Sequence, residues 1–283
     1  MASIRLDESL TTTSGVYFDA EVCVVSHQSV HQLIEVFETP DLGKLMRIDG
    51  ANMVSERDEF FYHEALVHPV AMTHPNPRTA LIIGGGDGGT AEELLKHSSI
   101  THCRLCELDG AVVDIAKTHL ESVHQRVFDD ARLEVVIGDG LRHVKDTADQ
   151  FDLIVLDLTD PVGAAEALYQ PSFYADCHRA LHTGGALTLH IGSPFSHPDR
   201  VRSAITNLGA VFLHVTPYFV HVPMYGATWG FAVASDGLDI SEIDVTTLAA
   251  RLEARAIRQR QFYNADVHHA MQVLPEYVKT LLA

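Results

Sequence analysis

The chain has 283 residues, 46% of them hydrophobic, and 38 acidic against 20 basic residues give it a formal net charge of −18. This suffices for a full hydrophobic core in one large domain, or in one domain with a smaller companion. The acidic balance disfavours nucleic acid and anionic membrane surfaces as partners, and it would attract a polycation. The sequence has neither the apolar stretch of a secretion signal at its start nor a run of roughly 20 apolar residues, so we expect a cytoplasmic protein.

Two stretches of the sequence resemble metal-binding motifs but do not match them. Cys103 and Cys106 have a CxxC spacing, but they lie in a predicted strand, where side chains three residues apart point to opposite faces. His63-Glu64-Ala65-Leu66-Val67-His68 has one residue too many for the HExxH pattern of metalloproteases. The four cysteines are also too few and too scattered for a disulfide framework. We expect no metal.

The N-terminal part reads as a small sheet followed by a helix. Polar and apolar residues alternate from about Val16 to Gly50 with turn signals between them, which predicts antiparallel strands. From Asp58 to Met72 apolar residues recur near helical spacing, and the Pro-rich stretch Thr73–Arg78 predicts a hinge or linker. We predict an N-terminal β-sheet domain over residues 1–57 and a larger catalytic domain over residues 58–283.

After the linker, strands and helices alternate. The predicted strands cover residues 79–83, 102–106, 133–137, 151–156 and 186–191. Helices are predicted over residues 90–97, 172–181 and 198–208, and on the face formed by Val112, Val113, Ala116 and Leu120. This alternation predicts an α/β fold, a Rossmann-like doubly wound and mostly parallel sheet with helices on both faces. Ligands of such sheets bind beyond the carboxyl ends of the strands.

The C-terminal part has three further predicted features. Thr183-Gly184-Gly185 reads as a turn before the last predicted parallel strand. Two apolar runs, residues 211–222 and 228–234, predict an antiparallel pair that closes an edge of the sheet. The tail from Ser241 is helix-forming, with an interruption at residues 261–264.

A glycine-rich turn follows the first parallel strand and contains a carboxylate. Gly84, Gly86 and Gly89 have the GxGxxG spacing of a dinucleotide-binding turn, so a nicotinamide-dependent dehydrogenase must be considered. Asp87, inside the turn, argues against that class because it would face the pyrophosphate. We expect a cationic ligand here instead.

Acids recur at the ends of consecutive predicted strands: Asp87, Glu107, Asp139 and Asp157, with Asp160 three residues further on. A single such acid is commonly a helix cap or a turn residue, but five would converge on one crevice. Glu107 suits the hydroxyl pair of a ribose, and Asp139 could accept a hydrogen bond from an adenine amino group. The sequence thus predicts an adenosine site without a phosphate-binding element.

The cofactor is constrained by Asp87. S-adenosylmethionine fits an adenosine site, but it ends in a carboxylate that Asp87 would repel at short range. A decarboxylated cofactor ending in an ammonium would be attracted.

Six motifs, in this order, resemble those of the polyamine aminopropyltransferases, and within that family of bacterial spermidine synthases. They are Tyr62-His63-Glu64, residues 84–89 (GGGDGG), Cys106-Glu107-Leu108-Asp109, Gly138-Asp139-Gly140, residues 157–163 (DLTDPVG) and Pro223-Met224-Tyr225. The similarity runs from about Val30 to Ser235 and continues more loosely to Tyr277. It implies a fold of the class I S-adenosylmethionine-dependent transferase type.

The resemblance implies an enzyme that transfers an aminopropyl group from decarboxylated S-adenosylmethionine, a co-substrate, to putrescine, giving spermidine and 5′-methylthioadenosine. It implies small polyamine substrates, no prosthetic group, no metal, and a homodimer or homotetramer. It also assigns roles by position. The residues expected at the cofactor are Gln32, Gly84, Gly86, Asp87, Glu107, Asp139, Gly140 and Ala164. Those expected at the amine are His63, Asp87, Asp157, Leu158, Thr159, Asp160 and Tyr225, with Tyr62 helping.

The chemistry of an amine acceptor agrees with these roles. An alkylamine resembles a lysine side chain, whose pKa is about 10.4, so at neutral pH it arrives protonated and non-nucleophilic. A carboxylate must remove the proton while other groups orient the nitrogen for in-line attack beside the sulfonium. We expect Asp157 to accept the proton and Asp87 and Tyr62 to orient the nitrogen. Asp160 or Glu166 could anchor the distal ammonium.

Three positions depart from the pattern of the family. Ala164 stands where many relatives have proline, His190 where many have a glutamine lining the acceptor pocket, and Met53 where some have a glutamine. These changes concern the acceptor more than the aminopropyl donor, so cadaverine, agmatine or spermidine remain alternative acceptors. His190 could also make acceptor binding pH-sensitive in the neutral range.

Two other functions stay open. An N-methyltransferase using intact S-adenosylmethionine would bind that cofactor more tightly than the decarboxylated one. A polyamine-binding or regulatory protein would bind without turnover, although it would have no need of both Asp157 and Asp160.

Overall fold

The computed structural model describes residues 4–161 and 163–283, and its N-terminal part contains two antiparallel sheets. A hairpin of two strands precedes a four-stranded sheet in the order β3-β4-β5-β6. The strands are β1 (Ile4–Ser9), β2 (Gly15–Ala20), β3 (Val22–Gln28), β4 (Leu33–Thr39), β5 (Gly43–Ile48) and β6 (Ala51–Ser55). The predicted antiparallel sheet is confirmed, although the sequence interpretation missed β1. The predicted domain boundary after residue 57 falls beyond the end of β6, and the division into two domains stays a prediction.

The second part is built on a seven-stranded sheet in the order β12-β13-β11-β10-β7-β8-β9. Its strands are β7 (Thr79–Gly84), β8 (His102–Glu107), β9 (Leu133–Ile137), β10 (Phe151–Asp157), β11 (Leu181–Gly192), β12 (His214–Val222) and β13 (Ala227–Ser235). Strands β7 to β11 pair in parallel, whereas β13 pairs antiparallel with both β11 and β12. The mostly parallel sheet closed by an antiparallel pair is therefore confirmed.

Helices cover both faces of this sheet. They are α1 (Glu59–Thr73), α2 (Gly89–Leu95), α3 (Gly110–His119), α4 (Glu121–His124), α5 (Gly140–Asp146), α6 (Pro171–Ala180), α7 (Pro198–Gly209), α8 (Val245–Ala254), α9 (Ala265–Ala270) and α10 (Glu276–Leu282). Two 3-10 helices run over Val127–Asp129 and Gly163–Tyr169. Within the described ranges, no helix is long and apolar enough to cross a membrane.

Three features differ from the sequence interpretation. The short helices α4 and α5 carry too few apolar residues for a periodic signal, and they were not predicted. The predicted turn at residues 183–185 lies within the bounds of β11, which begins at Leu181 and not at Ala186. Residues 182–185 have no register partner on β10, because Phe151 pairs with Leu181 and Leu153 with Ala186, and Gly184 has φ +83°. The glycines therefore form a bulge in the strand.

The large sheet separates two apolar cores. Successive residues of β7 alternate between them, with Ile82 in one and Ile83 in the other. Cys103 and Cys106 on β8 likewise belong to opposite cores, as predicted. A third cluster joins the four-stranded sheet to α3 through residues such as Ile34 and Val112. This contact holds the N-terminal part against the sheet edge that carries the acids.

The order in which strands are added to the sheet reverses between β7 and β10, which are parallel neighbours. From β7 the chain builds β8 and β9 on one side and then returns to add β10 on the other. Gly84 and Asp157 are register partners at the carboxyl ends of these two strands. A crevice opens at such a point, and it is where open parallel sheets bind ligands.

Candidate active site

A cavity of about 570 Å³ opens at the carboxyl ends of the parallel strands and is closed on its other side by the N-terminal sheet. Its lining includes the predicted residues Gln32, Tyr62, His63, Gly84, Gly86, Asp87, Glu107, Asp139, Gly140, Asp157, Leu158, Thr159 and Tyr225. A cavity of about 610 Å³ near α8 and α9 contains none of them. We assign the site to the first cavity because four strand-end acids converge there. The side chain of Ala164 lies outside the described part of the chain, so its contact stays a prediction.

Glycines let the turn after β7 pass close to neighbouring groups. Gly84 has φ +83°, and a Cβ added there would lie 2.0 Å from the carbonyl oxygen of Asp157. A Cβ on Gly89 would lie 2.2 Å from the imidazole of His63. Such approaches exclude a side chain at both positions. The turn thereby brings Asp87 to the cavity wall, where its Oδ1 accepts a hydrogen bond from the Gly89 amide at 2.8 Å.

His63 is buried between two carboxylates. Its Nδ1 lies 2.8 Å from Glu59 Oε2, one turn back on α1, and its Nε2 lies 3.6 Å from Asp87 Oδ1. Burial opposes the protonated form, but Asp87 and Glu59 outweigh it and raise the pKa of His63 to about 10. His63 is therefore an imidazolium at neutral pH.

For Asp87, burial outweighs the nearby positive charge in setting the pKa. Burial raises its pKa to about 6, and Asp157 adds to this rise, while the His63 charge and the Gly89 amide oppose it. The carboxylates of Asp87 and Asp157 lie within 4.8 Å of one another, so they favour a further positive charge between them. An ammonium ligand would supply that charge.

Asp157 is fixed by one hydrogen bond on each carboxylate oxygen. Tyr62 donates to Oδ1 at 3.0 Å, and Thr90 donates to Oδ2 at 2.7 Å. Burial and the nearby Asp157 raise the pKa of Tyr62 well above its usual value, so its hydroxyl stays a donor. The carboxylate is thus held in one orientation at the cavity wall.

Tyr225 closes the cavity from the turn between β12 and β13. Its hydroxyl donates to the Met53 carbonyl oxygen at 3.0 Å, and the preceding Met224 amide donates to Asp58 Oδ2 at 2.7 Å. These contacts join the turn to β6 and to the start of α1. The ring of Tyr225 packs edge-on to Tyr62, with 6.1 Å between the centroids.

Glu107 is buried at the end of β8. Its Oε1 accepts the Asp109 amide at 2.9 Å, and burial raises its pKa to about 7. Asp109 caps α3 and also accepts hydrogen bonds from Ser29 and Gln32, in the connection between β3 and β4. A ligand with hydroxyl donors would satisfy the remaining acceptors of Glu107.

Asp139 is more exposed. It lines the cavity and also caps α5, accepting a hydrogen bond from the Leu141 amide at 2.9 Å. The cap uses one carboxylate oxygen and leaves the other for a ligand.

Four of the five predicted acids line the cavity, and Asp160 lies outside its lining. It directly follows Thr159, which lines the cavity, and its Oδ2 lies 2.7 Å from Arg200 Nη1. A role for Asp160 at the acceptor stays a prediction.

His190 lies behind the cavity wall. Its Nε2 lies 2.9 Å from the Tyr169 hydroxyl and 2.8 Å from the Leu158 carbonyl oxygen, and its ring stacks on Trp229. Burial lowers the pKa of His190, which counts against the pH sensitivity suggested by the sequence. It shapes the wall through Leu158.

His63, Asp87 and Asp157 also form the kind of group that can hold a metal ion, since their ligand atoms all lie within 4.8 Å of one another. The high pKa of His63 and its contact with Glu59 favour a proton on the imidazole over a metal. The expected absence of a metal stays a prediction that elemental analysis can check.

Sequence reasoning gave no role to three supporting residues of the site: Glu59, Thr90 and Asp109, the last of which was named only as part of a motif. Glu59 was detectable, because an acid four residues before a histidine on a helix lies beside it. Asp109 stands at a helix start, which is a local signal for a cap. Thr90 had no local signal, since its contact with Asp157 depends on the pairing of β7 with β10.

The fold and this cavity define a Rossmann-like transferase of the class I S-adenosylmethionine-dependent type. The spermine/spermidine synthase domain profile matches residues 59–244. A polyamine aminopropyltransferase of Nitrosomonas europaea is 45% identical over 98% of this chain and 85% of its own length. Polyamine aminopropyltransferase 1 of Pseudomonas aeruginosa is 38% identical over 96% of this chain and 95% of its own length.

Solved structures agree. A spermidine synthase in complex with the transition state analogue AdoDATO has a TM-score of 0.93 and 35% identity, covering 99% of this chain and 94% of its own. Spermidine synthase from Thermotoga maritima has a TM-score of 0.90 and 34% identity, with the same coverage. The chain belongs to the polyamine aminopropyltransferase family, and it is an enzyme of polyamine biosynthesis that transfers an aminopropyl group.

Proposed function

We propose that this aminopropyltransferase is a spermidine synthase, which uses decarboxylated S-adenosylmethionine and putrescine and releases spermidine and 5′-methylthioadenosine. The observation that carries the proposal is the pair of carboxylates, buried Asp87 and half-buried Asp157, beside Glu107 in one cavity. The similar spermidine synthase with a bound transition state analogue supports it.

The nucleoside end of the cavity, formed by Gln32, Glu107, Asp139 and Gly140, takes the adenosine. Glu107 accepts hydrogen bonds from the ribose hydroxyls. These bonds replace the hydrogen bonds to water that the buried carboxylate lacks. Asp139 accepts from the adenine amino group with the oxygen that does not cap α5. Gly140 leaves room there, since a Cβ on it would lie 2.4 Å from Ile83 Cγ2.

The amine end, formed by Tyr62, His63, Asp87 and Asp157, selects the cofactor by charge. Together with Glu59, three carboxylates there face one imidazolium, so the group is net negative. The carboxylate of intact S-adenosylmethionine would be repelled, whereas the ammonium of the decarboxylated form is attracted. This argues against an N-methyltransferase using the intact cofactor.

Asp157 is the proton acceptor. The reacting nitrogen of putrescine arrives as an ammonium and gives one proton to Asp157, whose orientation Tyr62 and Thr90 fix. The freed lone pair then forms the new C–N bond as the C–S bond breaks. The electron pair of that bond goes to sulfur, which leaves as the neutral thioether of methylthioadenosine. Asp87 holds the nitrogen in line, which is the geometric part of the rate enhancement.

Leu158 and Thr159 form the wall along the methylene chain of the acceptor, and Tyr225 covers it from the opposite side. Asp160 and Glu166 lie outside the lining of the cavity, and we expect the far ammonium to approach one of them. Cadaverine, agmatine and spermidine differ from putrescine at this far end, so they are the acceptors to compare with it.

The proposal is tested by incubating the pure protein with decarboxylated S-adenosylmethionine and each amine, with methylthioadenosine and the polyamine product measured by mass spectrometry. We expect putrescine to give the highest kcat/KM. A higher value for another amine would assign that amine instead. Absence of methylthioadenosine with every amine would refute the proposal, and methylation of an amine by intact cofactor would favour the methyltransferase.

We also propose a homodimer or homotetramer. The strand β3 is an edge of its sheet and exposes Val22 and Val24, and unpaired strand edges with apolar side chains favour association. Light scattering during size-exclusion chromatography would give the mass. A cytoplasmic location stays a prediction, which cell fractionation would check.

A further inference from the structure

Asp160, a candidate partner of the distal ammonium, already has a cationic partner. Its Oδ2 lies 2.7 Å from Arg200 Nη1, and the two side chains are 41% and 20% exposed. The other oxygen, Oδ1, is buried and has no hydrogen-bond partner among the described residues. The carboxylate therefore keeps one free acceptor but shares its charge with a guanidinium.

Arg200 lies where its charge is unfavourable for its own helix but where it can reach Asp160. Arg200 lies in the first turn of α7, where a positive charge opposes the helix dipole. Its stem packs against Gly192 at the end of β11, where an added Cβ would lie 3.1 Å from Arg200 Cδ. The missing side chain at Gly192 gives the arginine its path to Asp160.

Asp160 directly follows Thr159, which lines the cavity, so it lies next to the wall of the amine end. In agreement with this position, burial raises the pKa of Tyr225, which also lines the cavity, and Asp157 and Asp160 both add to the rise. A change in the charge around Asp160 would therefore act on a ligand in the cavity.

We propose that Arg200 is a specificity-determining residue: by sharing the charge of Asp160, it weakens the attraction of the far end of the acceptor and lowers the preference for diamines over monoamines. The inference rests on the proposed function, because it takes an amine as the acceptor. It deepens that function by naming the residue that sets how much negative charge the far ammonium meets at this wall. An unpaired carboxylate there would discriminate more strongly, since the guanidinium 2.7 Å away offsets part of its attraction for an ammonium.

The test compares putrescine with 1-aminobutane, which has the same chain but no distal nitrogen. The quantity measured is the ratio of kcat/KM for the two amines. In the unmodified protein we expect a ratio below about tenfold, because the charge at Asp160 is shared. In Arg200→Gln the ratio should rise about fivefold or more through a lower KM for putrescine, and adding Asp160→Asn should remove the gain.

Two variants control for charge and for general effects on the helix. Arg200→Lys keeps the charge and should keep the ratio within about twofold of the original. Arg202→Gln removes an exposed arginine of the same helix that pairs with Asp199, and it should leave the ratio unchanged. If Arg200→Gln does not fold by circular dichroism, Arg200→Met removes the charge while keeping the stem.

An unchanged or lower ratio in a folded Arg200→Gln or Arg200→Met variant would overturn the inference. So would a ratio above about a hundredfold in the unmodified protein, because a shared charge cannot give it. In both cases the proposed function stands as long as methylthioadenosine is formed. No product from the unmodified protein with any amine would instead be a failure of the proposed function.

Discussion

The two ends of the cavity are assembled differently. At the nucleoside end, Glu107 accepts the amide of a residue two positions on, and Asp139 caps the helix that follows it. At the amine end, the two hydrogen bonds on Asp157 come from residues 95 and 67 positions away. The nucleoside end is thus fixed by local strand-to-helix turns, whereas the amine end exists only when β7, β10 and α1 are packed together. We expect substitutions at the two ends to separate affinity from turnover.

Asp157→Asn should have the largest effect. The amide cannot accept the ammonium proton, so kcat should fall by about 10²–10⁴-fold while the Kd of decarboxylated S-adenosylmethionine stays within about threefold. Steady-state kinetics and calorimetry measure the two quantities. Asp114→Asn, on an exposed position of α3, is the matched control. Unchanged turnover would remove Asp157 from the role of base.

Glu107→Gln should weaken cofactor binding at the nucleoside end of the cavity. Loss of a charged acceptor for the ribose should raise the Kd of the decarboxylated cofactor about 10–100-fold, with a smaller change in kcat at saturating cofactor. Glu121→Gln removes an exposed carboxylate on α4 and serves as the control. A fall in kcat without a change in Kd would contradict the division of the cavity into two ends.

The pH dependence of binding should differ between the two ligands. The pKa of Glu107 is raised to about 7 and that of Asp87 to about 6 in the ligand-free protein. Each ligand binds the ionised form, so its affinity is full above the pKa and falls as the pH drops through it, by up to about tenfold per unit. Cofactor affinity should begin to fall near pH 7, as Glu107 takes up a proton, and fall further near pH 6 with Asp87. Putrescine affinity should begin to fall only near pH 6. Calorimetry between pH 5 and pH 8 measures both, and Glu107→Gln should abolish only the fall near pH 7. Coincident profiles would count against this assignment.

Thr90→Val should have the smallest effect. It removes one of the two hydrogen bonds that orient Asp157, so kcat should fall about 3–10-fold with little change in cofactor Kd. Thr90→Ser retains the hydroxyl and should recover most of the loss. Equal activity of the valine and serine variants would mean that the hydroxyl does not orient Asp157.

The same difference between local and distant contacts explains what the sequence could predict. The strand-end acids Asp87, Glu107, Asp139 and Asp157 were predictable, because parallel strands end at one edge of a sheet. The ion pair of Asp160 was not predictable, because its partner Arg200 comes from a helix 40 residues further on and no local pattern indicates that pairing. The contact of Thr90 with Asp157 depends on sheet order in the same way. The helix α5 was missed for another reason, since its seven residues give too little apolar periodicity.

The central claim is that the carboxylate of Asp87 selects the decarboxylated cofactor. The most direct test is the Kd of decarboxylated and intact S-adenosylmethionine, measured by calorimetry for the unmodified protein and for Asp87→Asn. We expect the unmodified protein to bind the decarboxylated form at least about tenfold more tightly, and the variant to lose most of that preference. Equal binding of both cofactors by the unmodified protein, or an undiminished preference in Asp87→Asn, would contradict the claim.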